Sequence, residues 1–292
     1  MPVQADAHTL AVEQMRLGDH AFAHYADDDV RWQVPAVFVQ LGLASGEKVI
    51  VMGDPAVPPA EAYQRLTAFG GPAEQARARG QLVFSSMRAL IHPDRKFTAR
   101  RQLSRLREET SRARWEGYAG LRAVIDMAWV QDLDMDVEGV MQRERNAGGL
   151  FAGRRYAEIC TYDRRRFAPG VVEQMRVSHP VALLERPGEL QAWHSRREVH
   201  LIGDADLLTR QDFRDAIGAA VGPPSGGWVL VDLSRLCFMS AACAGDLLRF
   251  VAQADGCERV VVRCPGIHAQ TLRHLGAAGV RRLVLDETAE ER

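Results

Sequence analysis

The stretch "WVLVDLSRLCFMSAACAGDLLRFV" (228–251) opens as an apolar, β-branched run with Asp232 inside it, passes through Ser240, Ala241, Ala242 and Cys243, and continues with helical periodicity. A buried strand feeding a helix through a short turn is the repeating unit of an α/β protein. The turn stands at the strand's C-terminal end, where open α/β sheets place their functional groups. Outward from it, strands are expected at 198–203, 228–234, 259–264 and 282–286. Helices are expected over 207–221, 241–254 and 267–279. About four strands and three helices in roughly a hundred residues make a small α/β domain.

Towards the N-terminus the alternation continues. A helix over 30–46 feeds the strand "KVIVMG" (48–53), which ends at Gly53, Asp54 and Pro55. A helix (61–69), a strand (81–86), a long polar helix (97–116), the segment "LRAVIDMAWV" (121–130), a helix near 136–147, the strand "YAEICTYD" (156–163) and a proline-started helix (169–179) follow. Several strands are apolar throughout, as in parallel sheets covered on both faces. In "ERPGELQAWHSRR" (185–197) proline, glycine and charges replace the periodic pattern. The expected organisation is a tail (1–14), a first domain (15–184), a linker (185–197), a second domain (198–288) and a tail (289–292).

Composition limits the function classes. With 37 basic and 38 acidic residues and a net charge of −1, the chain of 292 residues has no broad basic field for nucleic acid or membrane surfaces. The first twenty residues lack a basic start with an apolar core, and no apolar run is long enough to span a bilayer, so a cytoplasmic location is expected. Five cysteines (Cys160, Cys237, Cys243, Cys257, Cys264) form no C-x-x-C pair and read as reduced, mostly buried thiols. The arginine-rich segment 95–114 also carries Glu108 and Glu109, and neither it nor 163–167 has more than one aromatic residue, which points to solvated helix surface.

The blocks "GDADLLTRQDFRDAI", "WVLVDLSRLCFMSAACAGDLLRFV" and "HAQTLRHLGAAGVRRLVLDE", in that order over 196–288, resemble a STAS domain, the module of bacterial anti-sigma factor antagonists and of sulfate transporter cytoplasmic ends. In signalling members the corresponding turn reads Phe, an aliphatic residue, Asp, Ser, Ser or Thr, Gly, and a partner kinase phosphorylates the first hydroxyl residue. Aligned on Phe238 and Met239, Ser240 stands where the family has Asp, Ala241 where it has the acceptor, and Cys243 in place of Gly. Alanine has no hydroxyl, so the phosphorylation switch is expected to be absent. Ser240 reads as the cap of the following helix, with phosphorylation one position early as the alternative. The resemblance implies a partner surface including Asp204, Ser240, Ala241, Ala242 and Cys243.

The blocks "GDHAFAHYADDD", "FVQLGLASGEKVIVMGDP", "WEGYAGLRAVIDMAWV" and "EICTYDRRRFAPGVVEQMRVSHP" resemble the MEDS domain, a sensory module named for methanogens, methylotrophs and a dichloromethane-responsive regulator. That family looks like a degenerate relative of RecA-like ATPases, which implies a parallel sheet derived from the P-loop fold. A working loop needs G-x-x-x-x-G-K-[ST]. Here Glu47 follows Gly46, and Asp54 and Pro55 follow Gly53, so hydrolysis by the usual loop is not expected. Nucleotide binding without hydrolysis stays open.

Ligand contacts in this domain are assigned to His20, His24, Asp126, Trp129, Tyr162 and Asp163. His20 and His24 are four apart and would share one helix face, a spacing used for metals; no third ligand is evident in sequence, and no metal is expected. Asp126, Tyr162 and Asp163 stand near strand C-termini and, on neighbouring strands, would line one crevice with Trp129. In the competing reading Trp129 fills core and Asp163 caps a turn. The function expected is a regulator, not an enzyme: a sensory first domain coupled to a STAS domain that binds an anti-sigma factor or related kinase, with no cofactor beyond an unidentified small ligand or nucleotide. A weak ATPase, a nucleotide-binding switch or a constitutive docking scaffold are the alternatives. Homo-oligomerisation is compatible with the sequence.

Overall fold

A computed structural model describes residues 8–68, 73–91, 97–133, 135–222, 227–254 and 256–288. The expected tail 289–292, and Arg95 and Lys96 of the basic segment, lie outside these residues. The chain divides into two compact units, one of Val12–Pro187, here the first, and one of Gly188–Arg292 together with Met1–Ala11, here the second.

In chain order the first strands are β1 (Thr9–Leu10), β2 (His20–Tyr25), β3 (Lys48–Met52), β4 (Leu82–Ser85), β5 (Leu121–Asp126), β6 (Tyr156–Asp163) and β7 (Val181–Leu183). Six of these, all within the first unit, pair in the order β7-β2-β6-β5-β3-β4, all parallel. Every residue of β2, β3, β5 and β6 is buried, as a sheet covered on both faces requires. From β2 the chain moves outward to β3 and β4, returns through β5 and β6, and crosses beyond β2 to β7. The order therefore reverses between β2 and β6, which makes the crevice at their C-terminal ends the topological switch point.

The helix expected over 30–46 is two, Asp28–Arg31 and Gln33–Ala44. Pro35 lacks an N–H and is tolerated in a first turn but not mid-helix, so the second helix restarts just before it. The long polar helix runs Ala99–Trp115, buries Leu103 and Leu106, and is capped by Thr98, whose Oγ1 accepts from Arg101 N at 3.2 Å. On its outer side Arg105 and Arg112 pair with Glu108 and Glu109.

The sheet of the second unit has five strands, β8 (Leu190–His194), β9 (Glu198–Ala205), β10 (Trp228–Met239), β11 (Arg259–Pro265) and β12 (Leu283–Thr288), in the order β12-β11-β10-β9-β8. β9 to β12 are parallel; β8 pairs antiparallel with β9 and lies inside the stretch expected to be linker. Strand β10 runs to Met239, beyond the expected end at Ser234, with register shifts after Asp232 and after Leu236. At the first shift Asp232 Oδ1 accepts from Ser234 N at 2.9 Å, a local turn that interrupts the alternation without ending the strand. Helices Arg210–Val221, Ala241–Ala252 and Gly266–His274 pack Phe213, Ile217, Leu247, Val251 and Leu272 onto Val229, Val231, Val260 and Val262. Each such side chain contributes about 1.5–3 kcal/mol on burial.

Candidate functional site

At the C-terminal edge of the first sheet, Asp126 ends β5 and Tyr25 ends β2. Asp126 Oδ2 accepts from Tyr25 Oη at 3.2 Å and from Arg31 Nη2 at 2.8 Å, while its Oδ1 accepts from Ala128 N at 3.0 Å. Arg31 Nη2 also donates to Asp54 Oδ2 at 3.0 Å, and Arg166 Nη1 donates to the same oxygen at 2.8 Å. Two carboxylates and two guanidiniums from four segments thus form one network. Burial raises the Asp126 pKa, and the nearby Arg31 cation offsets only part of that. For Arg31, burial alone would lower the pKa, but Asp126, Tyr25 and Asp54 more than compensate and it is raised. The Tyr25 hydroxyl is pushed up by burial and then by Asp126.

Asp163 ends β6 and belongs to a different constellation. Arg165 grips it through Nε at 2.9 Å and Nη2 at 2.8 Å and extends Nη2 to Asp28 Oδ1 at 2.8 Å. Burial opposes ionisation of Asp163, but the hydrogen bonds from Arg165 win and its pKa is lowered. Asp163 Oδ1 also accepts from Arg165 N at 2.9 Å, the turn-capping role of the competing reading. Asp126 and Asp163 therefore sit on adjacent strands, yet each is held by its own arginine.

Trp129 and Tyr162 do not line that edge. Trp129 is buried against Phe97, ring centroids 4.7 Å apart, and Tyr162 packs on Phe22 at 5.0 Å beneath the helices. Tyr162 follows Thr161 on a strand, so it points to the opposite face from the residue that pairs with Asp126.

At the switch point, the connection from β2 to the next helix reads Ala26-Asp27-Asp28-Asp29. Asp27 Oδ1 accepts from Val30 N at 2.8 Å and so takes the helix N-terminus itself. Three successive carboxylates there repel a phosphate that a glycine-rich loop would attract. Gly42 is internal to a helix, where a Cβ would meet Arg122 Cδ at 2.7 Å; it serves close packing and not a loop.

His20 and His24 lie on β2, not on a helix; spacing of four also returns a strand residue to the same face. His24 is buried with Nε2 3.4 Å from Glu185 Oε1, and burial, followed by Arg164 and Arg176, lowers its pKa to about 4. His20 is joined by three residues that sequence reading did not connect with it. His20, Glu144, Cys160 and His179 each offer one donor atom, all within 4.8 Å of one another and all buried. His20 Nε2 is 3.3 Å from Glu144 Oε2 and 3.8 Å from Cys160 Sγ, and His179 Nε2 is 3.8 Å from Glu144 Oε2. Arg143 pairs with Glu144 at 2.9 Å and with Glu158, and Cys160 Sγ donates to Glu158 Oε1 at 3.0 Å.

In the second unit, Ser240 caps the helix Ala241–Ala252, its Oγ accepting from Cys243 N at 3.2 Å. Ala241 and Ala242 are exposed, whereas Cys243 is buried with Sγ 3.5 Å from Asp206 O; burial raises its thiol pKa. Asp204 is half-buried, and burial followed by Asp206 raises its pKa. Asp206 and Thr209 build the loop after β9: Asp206 Oδ1 accepts from Leu208 N at 2.8 Å and Thr209 N at 3.1 Å. That loop delays the helix expected from Leu207 until Arg210 and holds Leu207 and Leu208 out to solvent. With Phe238 at the end of β10 and Ile267 after β11, four large apolar side chains stand exposed at the C-terminal edge of this sheet, Leu208 at 88% and Phe238 at 51%. Asp246, fully buried, is ringed by Arg210 at 2.7 Å, Arg249 at 2.9 Å and Arg214 at 3.4 Å, a feature the sequence did not single out.

Residues 19–180 match the family model of the MEDS domain, the methanogen/methylotroph, DcmR sensory domain. Among solved structures, the chain is similar to a KaiC-like protein from the hyperthermophilic archaeon Pyrococcus horikoshii. The identity is 10%, the TM-score 0.42, and the match covers 69% of this chain and 88% of that one. No curated protein matches the chain.

Proposed function

Because the chain belongs to the MEDS family, we propose that it is a cytoplasmic signalling regulator, not an enzyme. Its first unit senses a small molecule, and its second, STAS-like unit docks an anti-sigma factor or related kinase without being phosphorylated. One observation carries the second half of this reading: the strand-to-helix corner of β10 presents an exposed Ala241 where the resembled family has its phosphoacceptor, beside a Ser240 whose hydroxyl is engaged as a helix cap. Exposed Leu207, Leu208, Phe238 and Ile267 at the same sheet edge supply the apolar surface that docking requires. No helix among the described residues is long and apolar enough to cross a membrane. The carboxylates at the first sheet's switch point argue against phosphate chemistry there.

The test is affinity capture from the native cell with the full chain and with Phe238→Glu. Recovery of an anti-sigma factor or its kinase by the first and not by the second supports the reading. Recovery of neither class of partner overturns it. Intact-mass measurement after incubation with the captured kinase and ATP should show no phosphate adduct; a stoichiometric adduct on Ser240 would refute the phosphorylation-silent part. ATP turnover lost in Asp126→Ala would refute the non-enzymatic part.

A further inference from the structure

We propose that His20, Cys160, Glu144 and His179 form a closed four-coordinate site for a divalent transition cation of the zinc class, buried beneath the helices on one face of the first sheet. Parallel pairing of β2 with β6 sets His20 opposite Glu158 and Phe22 opposite Cys160, so His20 and Cys160 project from the same face two residues apart in register. The helix Val137–Asn146 brings Glu144 over them, and His179 caps the helix Pro169–Ser178 above the same spot.

The observation that points to a ligand is His179. Its side chain is completely buried, and Nδ1 lies 2.7 Å from the carbonyl oxygen of Met175. A carbonyl can only accept, so Nδ1 carries the proton and Nε2 keeps its lone pair. That Nε2 has no hydrogen-bond partner and is turned towards the Glu144 carboxylate, where a lone pair meets only another acceptor. A buried acceptor left in this way costs about 1–3 kcal/mol. An imidazole whose far N–H is fixed by a backbone carbonyl, with the near nitrogen bare, is the arrangement of a metal-ligating histidine.

Spacing and charge agree. Tetrahedral zinc with nitrogen, oxygen and sulfur ligands separates its donor atoms by roughly 3.3–3.6 Å. His20 to Glu144, at 3.3 Å, already fits; His20 to Cys160 and His179 to Glu144, at 3.8 Å, need contraction by a few tenths of an ångström, and the remaining pairs, within 4.8 Å, close by at most about an ångström. Glu144 and Glu158 both face Arg143, and His20 Nε2 lies 3.3 Å and 3.4 Å from their carboxylates, so two acidic groups converge on this buried spot. A divalent ion entering as the Cys160 thiol proton leaves to solvent adds one net positive charge beside these two carboxylates. Glu158, accepting from Cys160 Sγ, is placed to take that proton first. Arg143 Nη1, 3.3 Å from His20 Nε2, gives up that contact and keeps Glu158. All four ligands come from the protein, so the site is structural or metal-sensing and leaves no open position for catalysis. The inference stands independently of the partner proposed for the second unit.

The experiment is titration of the reduced, metal-stripped full chain with cobalt(II), followed optically, alongside elemental analysis of the purified protein. One equivalent should bind, giving the intense visible bands of a tetrahedral ion and a near-ultraviolet thiolate-to-cobalt band, displaced by zinc. Cys160→Ser should lose the thiolate band, and His179→Gln should bind at least about tenfold more weakly. Cys243→Ser should match the wild type. The absence of any cobalt spectrum in the wild type, or spectra from Cys160→Ser and His179→Gln identical to it, would overturn the site. Because the wild-type titration needs no variant, misfolding of a mutant does not shield the proposal.

Discussion

Beneath the helices of the first unit, His20, Arg143, Glu144 and Glu158 are packed together out of water; at the corresponding depth of the second unit stand Phe213, Ile217, Leu247 and Val260. The two interiors satisfy the same packing demand at different cost. Burying ion pairs is often no better for stability than burying hydrocarbon of the same volume, because desolvation offsets the Coulomb gain. In the second unit the one fully buried carboxylate among the described residues, Asp246, is held by three arginines that reach solvent, and the exposed apolar side chains stand on the rim. The first unit holds its chemistry inside, where a change in one charge is felt by every neighbour.

The largest effect should come from breaking the inner network. Arg143→Met leaves Glu144 and Glu158 without their guanidinium and should destabilise the first unit by about 3–5 kcal/mol in urea melts. Arg214→Met in the second unit removes one of three arginines around Asp246, and that arginine is partly exposed; it should cost no more than about 1 kcal/mol. Equal losses would show that the two interiors do not differ in the way described.

Acid should separate the units next. His24 has a folded-state pKa of about 4, below its value of about 6.5 in an unfolded chain. Between those values the unfolded chain binds the proton more readily, so this contribution is complete above about pH 6.5 and is lost as pH falls towards 4. The loss should reach about 3 kcal/mol at pH 4. Urea melts of the wild type and His24→Gln across pH 4–7 check it; identical pH slopes would exclude His24 as the titrating group.

Smaller effects belong to the two strand-to-helix corners. Asp27 and Ser240 each accept one N–H at a helix start, at 2.8 Å and 3.2 Å. Asp27→Ala and Ser240→Ala should each cost about 1 kcal/mol, measured by thermal or urea melts. A Ser240→Ala variant as stable as the wild type would free the hydroxyl from the capping role.

What the sequence disclosed follows the range of the forces involved. Strand β6 is legible at 156–163, where it is found, and the Ser240 cap is legible from the residue type at a helix start, because periodicity and capping are local. Strand β8 was missed because Pro187, Gly188 and flanking charges surround a half-buried edge strand with little alternation to read. The candidate ligands were missed for a different reason: they are scattered from residue 20 to residue 179 and meet only through a parallel pairing and two helices. Spacing alone coupled His20 to His24, which shares its face of β2 but lies further along the strand, beside Glu185. The position of Trp129 and Tyr162 near strand ends suggests a crevice, whereas packing against Phe97 and Phe22 takes them inside.

The smallest energetic change gives the sharpest view of the second unit's rim. Ala241 is exposed and is the first residue of its helix, so Ala241→Ser adds a hydroxyl in solvent and should alter stability by less than about 0.5 kcal/mol. A phosphate there would place close to two negative charges at a helix N-terminus, beside exposed Phe238 and Leu208. The helix end would favour the charge, while an apolar partner would be repelled. Incubated with the captured kinase and ATP, Ala241→Ser should gain one phosphate and lose its partner, with the wild type unmodified and bound. Partner binding unchanged by that phosphate would move the docking surface away from the β10 corner, and the apolar rim would then need another explanation.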